Sequence, residues 1–257
     1  METKVQPRRL GSMVSVDFRR MFTMPMVYIM MGVSLVMPIL ILVMTAMVGG
    51  SQPGSEASPD LFTNTWQAIG SPRGGGMMAM DLTSMCNINM LYFLIAVLVA
   101  VFTAADFRSG YAKNLFSVRA NRADYVFSKT LVCFAGGVLM LLSYFVGAML
   151  GGAIAGLPFD TGDAGAAGIA MCMLAKLCLT MVFVAIDLAV CLAAKQKLWL
   201  SILGSLMAGM LLYTMVPMMT PLDSGPMNVI LCAAGGAMFG AGLGVVGKLI
   251  LNRTSLV

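Results

Sequence analysis

The sequence predicts an all-α membrane protein: six transmembrane helices, both termini cytoplasmic, and an amphipathic interface helix ahead of the first span. Three observations carry this. Hydrophobic residues make up 59% of the 257 and charged residues only 11%, whereas soluble domains are about a quarter charged. Six apolar runs, near 26–48, 88–105, 127–152, 166–193, 198–217 and 227–249, approach the roughly 20 residues that cross a hydrocarbon core of about 30 Å. The basic residues fall in alternate connections. Lys4, Arg8, Arg9, Arg19 and Arg20 precede the first run, and Arg108, Lys113, Arg119, Arg122 and Lys129 lie between the second and third. Lys195 and Lys197 separate the fourth and fifth, and Lys248 and Arg253 close the sixth, while the intervening connections hold only Arg73. Basic loops stay in the cytoplasm.

The whole chain, 1–257, reads as one transmembrane domain. Its net charge of +5 and pI near 9.0 reflect the cytoplasmic loops, so no nucleic-acid partner is expected. The lipid bilayer is the expected surrounding. The first run exceeds a signal-peptide core and has no prompt cleavage site, so it is expected to remain as an anchor.

Residues 10–22 place Leu10, Met13, Val14, Phe18 and Met21 on one helical face, with Ser12, Ser15, Arg19 and Arg20 largely elsewhere. That pattern predicts a helix in the membrane interface, its arginines reaching toward phosphates; a frayed tail is the plainer alternative. Pro25 marks the bend into the first span and Pro38 predicts a kink inside it.

The connection 49–87 is the longest outer loop. Ser58-Pro59-Asp60 predicts a helix start, with Leu61, Phe62, Trp66 and Ile69 on its apolar side and Gly70 at its end. Such a helix packs on the surface or covers an exit.

Segment 106–124 is the basic connection with most to read. Phe107, Tyr111, Leu115 and Val118 share one helical face, predicting an amphipathic helix over 107–119. Asn121 and Asp124 have the spacing of a capping box that would restart the chain into the third span. A basic loop held against anionic headgroups is the simpler reading.

Gly147 with Gly151, Gly152 with Gly156, and Gly236, Gly240 and Gly244 repeat at intervals of four. Small residues so spaced let helix backbones approach closely, within the bundle or against a second subunit. Gly242 to Lys248 imitates both a dinucleotide fingerprint and a phosphate loop, but Leu249 stands where Ser or Thr must hold magnesium, and no strand precedes it. No ATP, magnesium or other cofactor is therefore expected on this chain.

Lys176 and Asp187 are the charges placed deep in an apolar run. Eleven residues apart, they share a helical face about 16 Å apart along the axis, too far to pair directly. Each costs about 2.5–3.5 kcal/mol to insert. They line a transport route or subunit interface, or snorkel toward opposite surfaces. The 27 methionines would suit a cavity for varied apolar cargo, or are ordinary filler. The six cysteines form no metal or disulfide pattern, and no histidine is present.

At two places the sequence resembles the permease subunits of type-2 ATP-binding-cassette exporters. Asp17-Phe-Arg19-Arg20 through Tyr28 looks like that family's approach to the first span. Asp106-x-x-x-Gly110-x-x-Lys113-Asn114, followed by Arg122 and Lys129, looks like its coupling segment, with Asp106 where many members carry glutamate. The resemblance implies that Asp106, Phe107, Arg108, Gly110, Tyr111, Lys113, Asn114, Leu115, Val118, Arg119 and Arg122 meet a separate cytoplasmic ATPase subunit. That partner would bind ATP and magnesium, and two permease chains, identical or homologous, would complete the transporter. The chain's size resembles permeases that expel antimicrobial peptides such as lantibiotics, which implies a bacterial plasma membrane. Two other classes stay in view. An ion-coupled secondary transporter would use Asp187 as its embedded carboxylate. An intramembrane enzyme would need Lys176 as the base for a serine, and no serine forms a recognisable motif with it.

Overall fold

The computed structural model describes residues 7–50, 62–70, 86–118, 122–162, 165–194 and 197–253, with the backbone alone at 7–9, 49, 50, 118 and 253. Its regular elements are helices. They are α1 (Pro7–Thr23), α2 (Pro25–Gly50), a 3-10 turn at Thr65–Ala68, a second at Ile88–Met90 leading into α3 (Leu91–Arg108), α4 (Tyr111–Val118), α5 (Arg122–Ala155), α6 (Gly165–Ala193), α7 (Leu198–Tyr213), α8 (Val216–Met219) and α9 (Pro226–Arg253).

Five of these are long and apolar enough to cross a membrane: Pro25–Val48, Ile88–Arg108, Arg122–Ala155, Gly165–Ala193 and Pro226–Asn252. The run at 198–217, expected as the fifth span, is shorter. Its helix α7 has 16 residues, about 24 Å at 1.5 Å per residue. The chain breaks at Thr214–Met215 and restarts as α8 with Pro217 in its first turn, where the missing N–H costs no hydrogen bond. This break carries Thr220 inward, where it is fully buried.

The helices pack as two sides of one bundle. α2 lies along α5, and α9 lies along α6, with α3 and α7 against α6 between them. The glycine repeats serve these contacts. A Cβ at Gly147 would collide with the backbone carbonyl of Leu35, and one at Gly151 would meet Ile39 Cα at 2.8 Å, so α2 and α5 touch backbone to backbone around Pro38. Gly236 and Gly240 accommodate Met181 of α6. Lipid offers no hydrophobic drive between helices, so such close packing is the main source of their association. Gly244, also in the repeat, meets nothing within 4 Å.

One further expectation is corrected, and one falls beyond what the structure describes. The helix expected over 107–119 is broken: α3 runs to Arg108, Gly110 adopts φ 72°, and α4 begins afresh at Tyr111. Left-handed glycine after the last helical residues is the usual helix stop, so Phe107 belongs to the last turn of α3. The helix start expected at Ser58–Asp60 falls outside the described residues. The described turn at Thr65–Ala68 is capped by Asn64, whose side chain accepts from Trp66 N–H at 3.1 Å while Gln67 reaches back to the cap. Pro25 does separate α1 from α2, and Pro38 lies inside α2. All six cysteines are free thiols.

Candidate functional site

Helix α1 buries one face against α3 and α5. Met13 and Met21 supply the apolar contacts, and between them, one turn from each, stands Asp17 with no exposure at all. A carboxylate in that position needs partners, because burial of an unpaired charge costs several kcal/mol. Its partners come from α5. Lys129 Nζ lies 3.0 Å from Asp17 Oδ1, and Ser128 Oγ donates to Oδ2 at 2.6 Å.

Lys129 also meets a second carboxylate, 2.6 Å from Asp106 Oδ2 in the last turns of α3. Tyr125 O–H donates to the same oxygen at 3.0 Å. Arg20, one turn after Asp17, brings Nη1 to 2.8 Å from Asp106 Oδ1. That contact is an ion pair without hydrogen-bond alignment, since neither atom has a directional partner. Two carboxylates thus face two cations. The network is charge-balanced, and Asp17, Asp106 and Lys129 are sealed from solvent, with Arg20 the one member at 30% exposure.

Aromatic rings close the network. Lys129 Nζ sits 3.8 Å from the Phe102 ring centroid, and the Arg20 guanidinium stacks 3.9 Å over Tyr111. Attraction of cations to ring faces adds to the pairing. Tyr111 is the first residue of α4, so the short helix rests directly on the network. Burial, together with the Asp17 carboxylate, holds the Tyr111 hydroxyl above its ordinary value, with Arg20 opposing and Asp106 adding.

The geometry sorts the residues singled out in the sequence. Asp106 and Tyr111 belong to the network. Phe107 and Leu115 are partly buried against the core. Arg108, Lys113 and Asn114 are exposed, and the backbone at Gly110 makes the turn between them. Arg122 opens α5, where it donates to the Leu251 carbonyl near the end of α9 and lies 5.7 Å over Phe116. The side chain of Val118, and Arg119 and Asn121 altogether, lie outside the described residues.

The sequence reading misplaced two network members. Lys129, counted there as a loop charge, is a fully buried residue of α5. Arg20, expected to reach for phosphates, turns inward to Asp106. Asp17 entered only as part of a family motif. Its signal was nonetheless present: an acid at the centre of the 10, 13, 14, 18, 21 apolar stripe.

Lys176 and Asp187 are separate from this network and from each other. Lys176 is fully buried and does not snorkel. Its Nζ donates to Asn89 Oδ1 at 2.7 Å and Thr220 Oγ1 at 2.8 Å, both toward the end of the bundle opposite α4. Tyr92 O–H donates to the Lys176 carbonyl at 3.1 Å. The Nδ2 atoms of Asn87 and Asn89 have no partner. Asp187, 1% exposed, lies nearer the α4 end, with the Ser205 hydroxyl beside it but outside regular hydrogen-bond geometry. The stretch Gly242 to Lys248 is continuous helix within α9, which offers no loop to cradle phosphate.

A bundle of long apolar helices with charges buried in its interior defines a multi-pass helical membrane protein. A family model described as "ABC-2 family transporter protein" matches residues 18–216, from the last turns of α1 to the first residue of α8. The chain belongs to that family and is a permease of the ABC-2 type. Comparison with curated proteins and with solved structures gave no match.

Proposed function

We propose that this chain is the membrane subunit of an ATP-driven exporter, and that α4 is where a separate cytoplasmic ATPase moves it. One observation carries the reading: the exposed face of α4 (Lys113, Asn114 and Ser117) sits above a buried, charge-balanced network that joins α1, α3 and α5. A push on α4 would pass through Tyr111 to Arg20, and from there to the carboxylates that fix the three helices. Interfaces held by discrete ion pairs switch between arrangements rather than deform gradually, which suits a power stroke.

In this reading both termini, α4 and the α1 surface face the cytoplasm of a bacterial cell. α7, joined by α8, completes a sixth crossing. Two permease chains pair with two ATPases, and the ATPases hold ATP and magnesium. The cargo is hydrophobic or amphipathic, with peptide antibiotics the favoured class. Lys176 and Asp187, buried at different depths on α6, mark the route. Co-purification tests the reading. The variant Lys113→Ala/Asn114→Ala keeps its fold and loses the ATPase, whereas full ATPase retention would contradict docking on α4.

Asp187 favours a second reading. A buried carboxylate with only the Ser205 hydroxyl beside it among the described residues, and no cation, is what an ion-coupled transporter requires. If Asp187→Asn abolishes transport while transport assays run with and without ATP show no nucleotide requirement, the ion-coupled reading replaces the first.

A further inference from the structure

A groove of about 290 Å³ lies between α5 and α6 at the end of the bundle away from α4. Its α6 wall is Ala166, Ile169, Ala170, Met173 and Leu177, a single helical face by its spacing of three and four. Leu142 and Phe145 form the α5 wall, and Trp66 of the first 3-10 turn closes the end. From Ala166 to Leu177 the stripe rises about 16 Å. That is about half of a hydrocarbon core of roughly 30 Å, the depth of one leaflet. The lining is apolar throughout except for Trp66 and Thr161. An apolar cavity of about 150 Å³ stays dry and accepts a ring the size of benzene, and this one has nearly twice that volume.

The closing turn is held in place independently of any ligand. Thr65 N–H donates to the Pro158 carbonyl at 3.1 Å, and Asn64 donates to the Asp160 carbonyl. The Trp66 ring packs edge-on against Phe159, with centroids 5.9 Å apart, and lies 6.5 Å from Phe145. Yet its indole Nε1 is buried without a hydrogen-bond partner. Tryptophan at a membrane interface ordinarily gives this proton to the headgroup layer.

We propose that the groove binds one acyl chain of a bilayer phospholipid, taken from the leaflet at this end, with Trp66 Nε1 donating to an ester or headgroup oxygen. The walls are membrane-crossing helices, so the groove meets lipid rather than water. Its length matches one leaflet, and Trp66, whose indole N–H has no hydrogen-bond partner, closes one end of it. Ala166 and Ala170 make the width: both are small and exposed between bulkier neighbours.

The test uses the full chain in phospholipid nanodiscs doped with a phosphatidylglycerol bearing a photoactivatable diazirine on its acyl chain. Irradiation followed by peptide mapping is expected to label Met173 and Leu177 several-fold more than Leu203, an exposed α7 residue in ordinary lipid contact. Ala170→Phe fills the groove and should bring the α6 labelling down to the Leu203 level, leaving Leu203 unchanged. Should that variant not reach the membrane, Ala166→Leu takes its place. Trp66→Phe keeps the ring, loses the donor and should lower retention of the labelled lipid through detergent extraction. Equal labelling at Leu177 and Leu203, or labelling indifferent to the filled groove, overturns the proposal. Displacement of the labelled lipid by a hydrophobic peptide does so too, because the occupant would then be cargo. These outcomes leave the ATPase reading untouched, since none depends on a partner.

Discussion

Lys129 Nζ lies 2.6 Å from Asp106 Oδ2, with both side chains wholly out of solvent. The pair joins α5 to the end of α3 just beneath the turn into α4, and Asp17 and Arg20 of α1 complete it. The consequence is energetic as well as geometric. A buried pair contributes little net stability compared with an apolar pair, but removing one partner strands the other.

Lys129→Met therefore leaves Asp17 and Asp106 facing one cation instead of two. A loss of about 3–5 kcal/mol in unfolding free energy is expected. Adding Asp17→Asn restores balance, because Asp106 keeps Arg20. The double variant should be more stable than Lys129→Met alone, as read by thermal or denaturant unfolding of the purified protein. Simple addition of the two losses would show that the four charges do not act as one network.

Gly147→Val forces a side chain into the backbone of α2. Overpacking of this kind costs about 1–3 kcal/mol or more, and the α2–α5 pair should separate first in limited proteolysis. Gly244→Ala is the control. It meets open space and should leave stability unchanged or raise it by up to about 1 kcal/mol.

Lys176→Met should fold at least as stably as the parent protein. The lost bonds to Asn89 and Thr220 cost about 1–3 kcal/mol, and relief from burying an unpaired ammonium offsets several. A residue kept at that cost points to use, so transport of the cargo should fall while thermal stability holds. A stability loss with normal transport would make Lys176 a structural strut.

Tyr111 gives a pH signature. Its hydroxyl is raised above the ordinary tyrosine value, which is about 10. Above that pH the unfolded chain ionises first while the folded chain stays protonated, so this contribution is present below pH ~10 and is lost as pH rises. Tyr111→Phe should make the alkaline fall in stability shallower and leave the profile near neutrality unchanged. Unchanged steepness would place the alkaline loss elsewhere.

The long helices were legible because apolar length leaves few alternatives in lipid. What escaped was local. Phe107, Tyr111 and Leu115 keep a perfect interval of four, which favoured one helix over 107–119, yet Gly110 between them stops it. Periodicity reports a shared face and is blind to a single left-handed residue. In the outer connection, Asn64-Thr-Trp-Gln67 carries a capping signal that a search for apolar spacing passes over, and it caps the turn at Thr65–Ala68. Lys129 was misread for a different reason. A cation at the start of a span looks like any loop charge until Asp17, more than a hundred residues earlier, is brought beside it. Charge pairing across helices is a property of packing, which no local pattern records.

The most direct test of the central claim is site-specific photo-crosslinking from α4. A photoreactive residue at position 113, in membranes that also contain the ATPase, should capture that subunit, and the yield should change when ATP is hydrolysed. The same probe at Thr161, at the opposite end of the bundle, should capture none. Capture from 161, or silence at 113 in a preparation that transports its cargo, would contradict the assignment of α4 as the point where ATP hydrolysis drives this protein.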